Sequence, residues 1–509
     1  MIDNQVGRPV AARPAARTAF RARSGSGPDR RPRTWPRTWP GPQRMALAVT
    51  GLFFALYTLL SVRRHERMLS AGYDLGIFEQ AVRAYAHGRA PIAELKGPGY
   101  NLLGDHFHPV LALLAPAYRV FPTPVTLLVA QAALMALACL PLTRWAHRTA
   151  GPVAGLVIGC AAGCSWGIVS AVAFDFHEIC FAVPLLAFAV EALAGRRWRA
   201  AVLWVLPLLL VKEDLGLTVA AVGAYVAWHG RRSRRTWHLG LAVAVLGLAG
   251  TLLEMAVLLP LANPHGVFDY WHQLPGAAGS APSTGAAVLL PLRLGWPPVK
   301  WLLLAMLAAP TAFVGLRSPL TLLCLPTLCW RLLADNVHYW QPSYHYSAVL
   351  MPIIFAGLVE VLGRRPELRS AVRLKRTLAG CAAFAVLSTV VYPLHDLVLP
   401  STWRTSAHVR TAHALLDRIP DGVSVASSNR LAPLLVHRTT VSLVCREDGP
   451  YAAAPPDWVV ADRTDPTVKT PCAAAVTARM LDAYRAAGYL TVAEQDGITV
   501  LQRPSDPRR

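Results

Sequence analysis

Four short segments carry residues able to do chemistry: Tyr73-Asp-Leu-Gly-Ile-Phe-Glu-Gln80, Asp105-His-Phe-His108, Asp175-Phe-His-Glu178 and Lys212-Glu-Asp214. Asp74 is a carboxylate suited to proton transfer, although the helical spacing around it, with Phe78 and Ile77 within a turn, also suits an amphipathic interfacial helix with Asp74 as its N-terminal charge. Asp105, His106 and His108 offer oxygen and nitrogen donors within four residues, part of a divalent metal site but not a complete one. Lys212, Glu213 and Asp214 end a twelve-residue apolar run that covers about 18 Å of a roughly 30 Å hydrocarbon core. They should therefore lie below the membrane surface, where ionised groups are costly unless paired or lining a wet cavity. His177 and Glu178 stand in the same situation before the short run 179–194. For any one of these groups taken alone, the plain alternative is a solvated loop charge.

The elements that must position these residues are membrane helices. Of the 509 residues, 54% are hydrophobic and 16% charged, against about a quarter charged in a soluble domain. The formal charge of +21 would suggest nucleic acid in a soluble protein, but its distribution argues otherwise. Ten arginines lie in the Pro-rich first 44 residues, and most of the others sit in short clusters between apolar runs. A soluble enzyme, a fibrous protein and a nucleic-acid-binding protein are poor readings. The pattern predicts a disordered basic cytoplasmic tail (1–44), a membrane domain (45–393) with a long first outer loop (63–121), and an outer domain (394–509).

Apolar runs at 45–62, 123–146, 151–173, 179–194, 200–211, 215–229, 237–261, 299–316, 319–334, 347–362 and 377–393 predict an all-α polytopic bundle of about eleven spans. With the N-terminus inside, Arg144/Arg148, Arg196 to Arg199, Arg231 to Arg235, Arg317 and Arg364 to Arg376 all fall in the cytoplasm. The four segments above, together with 335–345, then share the outer face. Run 109–121 reads as re-entrant or interfacial. Beyond 394, helical patterns at 406–419 and 475–487 alternate with β-rich runs at 423–426, 439–444, 458–461, 490–493 and 498–501, predicting a small extracytoplasmic α/β domain that covers the site or binds an acceptor. The sequence has no phosphate loop, no Cys-x-x-Cys and no His-Glu-x-x-His, which disfavours an ATP-driven pump or a zincin. Cys445 and Cys472 are a candidate disulfide in an oxidising compartment.

These motifs, with His345-Tyr-Ser-Ala348, resemble those of a bacterial predicted-membrane-protein family catalogued as a domain of unknown function, from about residue 50 to the end. That family is in turn similar to the C-type glycosyltransferase superfamily. The resemblance implies transfer of a sugar from a polyprenyl-phosphate donor to a cell-envelope acceptor on the outer membrane face. It implies Asp74 as base and Lys212 as phosphate-stabilising cation, with Glu213 and Asp214 beside it. Glu79, Asp175, His177, Glu178 and His345 would serve substrate binding, and Asp105, His106 and His108 would act on phosphate directly or through a divalent metal. The superfamily often pairs acidic residues early in that loop; here Leu75 follows Asp74, and the partner is to be sought in Glu79 or Asp105. A proton-coupled transporter uses similar intramembrane groups, and a non-catalytic envelope scaffold is the third reading.

Overall fold

The computed structural model describes residues 39–270, 294–446, 449–452, 454–465 and 471–504. The basic tail up to residue 38 lies outside them. Among the described residues, five helices are long and apolar enough to cross a membrane: α1 (Pro42–Glu66), Pro124–Ala150, Arg234–Ala262, His345–Arg364 and Ala371–Val391. The pair Pro152–Gly163 and Trp166–Ala173, bent by 40°, makes a sixth if it is one span. The expected count of eleven is thus not confirmed: among the described residues five or six segments pass by length and composition. Four of the other runs are helical but short: Trp198–Leu210, Leu215–Gly230, Val299–Thr311 and Pro319–Leu333. Proline accounts for two of them: Pro207 and Pro310 each stand in the first turn of a 3-10 segment inside the apolar run, because a proline has no N–H to donate and its ring clashes with the preceding turn.

Helix Leu215–Gly230 packs against Arg234–Ala262 along a seam of small residues. A Cβ on Gly223 would stand 2.3 Å from the Ala244 nitrogen, and one on Gly240 2.3 Å from the Ala227 nitrogen, so the backbones touch as small-residue membrane seams permit. At the end of the seam Thr251 Oγ1 donates to the Glu213 carbonyl at 2.9 Å, which fixes the Lys212-Glu-Asp214 link.

Between α1 and the next span, a five-residue π-turn, Gly72–Gly76, leads into α2 (Ile77–Ala86). A bridge between Ile92 and Asn101 closes the following loop. Segment 109–121 is a 3-10 turn, Pro109–Leu114, and a short helix, Ala115–Val120, that leave Leu113, Val120 and Phe121 exposed.

The C-terminal region has β1 (Ser424–Ser427), β2 (Thr440–Leu443), β3 (Trp458–Asp462), β4 (Leu490–Gln495) and β5 (Ile498–Gln502) in the order β2-β1-β3-β5-β4. β1 is parallel to β2 and β3, while β5 is antiparallel to β3 and β4. Helices Ala407–Leu416 and Ala474–Ala486 accompany the sheet, and Cys445 is bonded to Cys472. The domain grips α2: Gln80 Nε2 donates to the Val441 carbonyl at 2.8 Å, and Arg83 donates to those of Val436 and Thr439 at 2.6 and 2.7 Å.

Candidate functional site

The π-turn carries Asp74. A π-turn admits one extra residue per turn and is common at functional sites; here it lets Asp74, Ile77 and Phe78 face one cavity of about 350 Å³. His177 Nε2 stands 3.6 Å from Asp74 Oδ1, and the ring of His177 stacks on that of His345 with centroids 3.8 Å apart. The break between Trp166–Ala173 and the helix beginning at Ala182 presents Glu178, whose Oε1 accepts from Lys212 Nζ at 3.0 Å. Glu213 accepts from the Phe107 amide at 3.1 Å and lies 2.8 Å from His106 Nδ1. Asp214 Oδ2 accepts from Trp330 Nε1 at 2.9 Å, and its Oδ1 is buried with no hydrogen-bond partner. Asp105 Oδ1 accepts from Lys96 Nζ at 3.0 Å and from Tyr270 OH at 3.1 Å.

Charge pairing sets the protonation of this array. Burial works against both members of each ion pair and is the largest single effect on each, but Lys212 together with His106, His177 and His108 holds the Glu178 carboxyl down at about 2, while Glu178, Glu213 and Asp214 together raise Lys212. In the same way Lys96 holds Asp105 below the usual carboxylate range and Asp105 raises Lys96. Burial and Lys212 act to lower His106, yet Glu213 and Asp105 raise it on balance. Asp214 is pushed up to about 6, chiefly by burial and secondarily by Glu213, against the pull of Lys212. The cavity therefore offers two cations in ion pairs, and one carboxylate near neutral pH with an unused oxygen.

Nine of the twelve candidate residues line this cavity: Asp74, Asp105, His106, His177, Glu178, Lys212, Glu213, Asp214 and His345. The other three, Glu79, Asp175 and His108, do not line it. Glu79 is buried and accepts from Tyr118 OH at 2.8 Å; burial pushes its carboxyl up to about 8. Asp175 sits at φ 78°, a conformation non-glycine residues rarely hold. Its Oδ2 accepts from the Ala71 amide at 2.9 Å and its carbonyl from Gln131 Nε2 at 2.6 Å, so it is a bracket for the π-turn. His108 packs edge-on to Phe78, and burial lowers it to about 4.

The divalent-metal reading of Asp105, His106 and His108 does not fit the donor geometry. Asp105 turns to Lys96, His106 to Glu213 and His108 to Phe78, and among the described residues no group of three or more His, Cys, Asp or Glu side chains is placed to hold a metal ion.

Sequence reasoning missed Lys96, Tyr270, Trp330 and Tyr339, which also line the cavity. One signal was available. The chain has five lysines among its 50 basic residues, and two of the five, Lys96 and Lys212, face this cavity. A compact ammonium, unlike the planar guanidinium used elsewhere, fits a small ionic pocket. Arg331, fully buried, donates to the carbonyls of Tyr339 and Tyr346 and to Ser347 Oγ, fixing the aromatic wall that holds His345.

Comparison with curated proteins gives no match. Among solved structures the chain is similar to ArnT from Cupriavidus metallidurans bound to undecaprenyl phosphate, at 14% identity and a TM-score of 0.47, over 91% of this chain and 98% of that one. A family profile matches residues 64–500, which contain the whole cavity, and the chain belongs to that family, described as Predicted membrane protein (DUF2079).

Proposed function

We propose that the protein is a glycosyltransferase that moves a sugar from a polyprenyl-phosphate donor to a cell-envelope acceptor at the outer face of the membrane. The observation that carries this reading is one cavity in which Asp74, faced by His177 rather than by a lysine or arginine, meets Lys96 and Lys212 among aromatic rings. An acceptor hydroxyl gives its proton to Asp74 as its oxygen bonds to the anomeric carbon. The bond from that carbon to the phosphate oxygen breaks, and its electron pair leaves with the lipid phosphate, whose charge Lys212 stabilises. Asp214 Oδ1 is an open acceptor for a sugar hydroxyl, and Tyr339 and Tyr346 offer apolar faces to the ring. No step is routed through a metal. The outer location is supported by the basic clusters in the sequence, whose pattern favours a cytoplasmic side for the Arg231 to Arg235 loop, and by the Cys445–Cys472 disulfide, which suits an oxidising compartment.

Isolated membranes assayed for sugar transfer from polyprenyl-phosphate donors test the reading, comparing wild type with Asp74→Asn. The variant keeps the side-chain shape but cannot take a proton, so transfer falls by roughly 100-fold or more while the amount of folded protein is unchanged. Wild-type turnover in Asp74→Asn removes Asp74 as base. Absence of transfer by wild type from every donor removes the glycosyltransferase reading.

A further inference from the structure

The connections of the C-terminal sheet diverge at one point. From β1 the chain crosses to β2 on one side and then returns to β3 on the other. In open α/β sheets this leaves a crevice beyond the carboxyl ends of the two central strands, the usual ligand site of such folds. Here the residues that follow β1 are occupied from within the chain. Ser428 Oγ accepts from the Asp462 amide at 3.1 Å, closing the two strand ends together. The next residue, Asn429, is 2% exposed and turned toward the membrane domain. Its carbonyl accepts from the Gly72 amide at 2.7 Å, and its Oδ1 accepts from the Tyr73 amide at 2.8 Å.

Those two amides open the π-turn that carries Asp74, and the amide before them is held by Asp175 Oδ2 at 2.9 Å. Three successive amides, Ala71, Gly72 and Tyr73, thus find acceptors outside their own segment, two of them on one residue more than 350 positions away in the chain. Helix starts leave their first amides without intrahelical partners, and an Asn or Asp side chain normally supplies the acceptor locally. The approach is tight: a Cβ on Gly72 would fall 2.7 Å from Ala432 Cβ and 3.1 Å from the Asn429 carbonyl oxygen. A hydrophobic contact alone would not require an acceptor at each amide.

We infer that Asn429 is a positioning residue for Asp74: the C-terminal domain uses its strand-end crevice to cap the π-turn and set the carboxylate. The domain is then part of the site's framework. The catalytic half of this inference rests on the transferase reading, and the structural half does not.

The test uses the full chain in lipid bilayers. Hydrogen exchange is followed at the Gly72–Asp74 segment, with β3 as internal reference because Val459 and Val460 are buried strand residues. In Asn429→Ala the segment is expected to exchange about tenfold faster, the order expected for one lost hydrogen bond, with β3 unchanged. Asn429→Asp keeps an acceptor at the same place and restores protection. In the transfer assay kcat falls by roughly tenfold or more in Asn429→Ala with KM within about twofold, because a displaced base slows the chemical step and leaves donor binding intact; Asn429→Asp recovers kcat. Gly72→Ala, which keeps the Asn429 side chain but crowds Ala432 and both Asn429 acceptors, should accelerate exchange at the same segment. Unchanged exchange in Asn429→Ala, or equal loss of protection in Asn429→Asp, overturns the inference. If wild type shows no transfer, the exchange result still decides the positioning and the transferase reading fails by itself.

Discussion

Replacing Glu178 by Gln removes one member of a buried ion pair while keeping the side-chain volume. The Glu178 and Lys212 side chains are 1% and 12% exposed, with 3.0 Å between Nζ and Oε1. Breaking such a pair costs about 3–5 kcal/mol, because the remaining charge stays buried without its partner. Glu213 and Asp214 also act on Lys212, which argues for the lower end, about 3 kcal/mol. Linkage gives the same size. The carboxyl falls from 4.5 to about 2 under Lys212 and the nearby histidines, and at about 1.4 kcal/mol per unit this is about 3–4 kcal/mol. The sign follows from the depressed value: the contribution is fully present above pH about 4.5 and is lost as the pH falls toward 2. Glu178→Gln should therefore be less stable than wild type by about 3 kcal/mol at pH 7 in denaturant unfolding from a bilayer mimetic, and the gap should close between pH 4.5 and 2. In a double-mutant cycle with Lys212→Met, the double variant should lose less than the two single losses added together. A deficit below about 0.5 kcal/mol at pH 7, or one that does not shrink in acid, would refute the reasoning.

Glu79 should behave in the opposite sense. Burial raises its carboxyl to about 8, so its folded-state stability is fully present below the unfolded value near 4.5 and is lost as the pH rises through 8; Glu79→Gln should flatten this decline in melting temperature measured from pH 5 to 9, and a variant that keeps the wild-type pH slope would assign the slope to another group. Gly104→Ala should destabilise by about 1–3 kcal/mol, since its Cβ would fall 2.4 Å from the backbone of Asn263. Gly51→Ala, within α1 with nothing within 4 Å, should leave melting unchanged or slightly raised, and equal losses for the two would show that crowding is not the cause.

Part of this architecture follows from local chemistry. The alternating β-rich runs and two helical patterns beyond residue 394 stand in the structure within about two residues of the expected limits at most ends, because turn residues and side-chain periodicity act over a few positions. The two ionic motifs at the ends of short runs, His177-Glu178 and Lys212-Glu-Asp214, also meet in one cavity; an apolar stretch too short to span leaves its terminal charges below the surface wherever the neighbours lie.

What periodicity could not supply is direction. Glu79 lies five residues from Asp74 in the same motif, yet its carboxyl goes to Tyr118 and not to the cavity. Asp175 is adjacent to the site in sequence, but its left-handed backbone turns its side chain to the Ala71 amide. Lys96, without a motif around it, enters the cavity because Asp105 draws it there. Span length depended on where prolines break the hydrogen-bond ladder inside apolar runs that hydropathy alone reads as continuous. The acceptors for the amides before Asp74 come from Asp175 and Asn429, a hundred and more than 350 residues away. Such pairings are decided only when distant segments pack, because a free backbone N–H donates to whichever acceptor tertiary structure brings within about 3 Å.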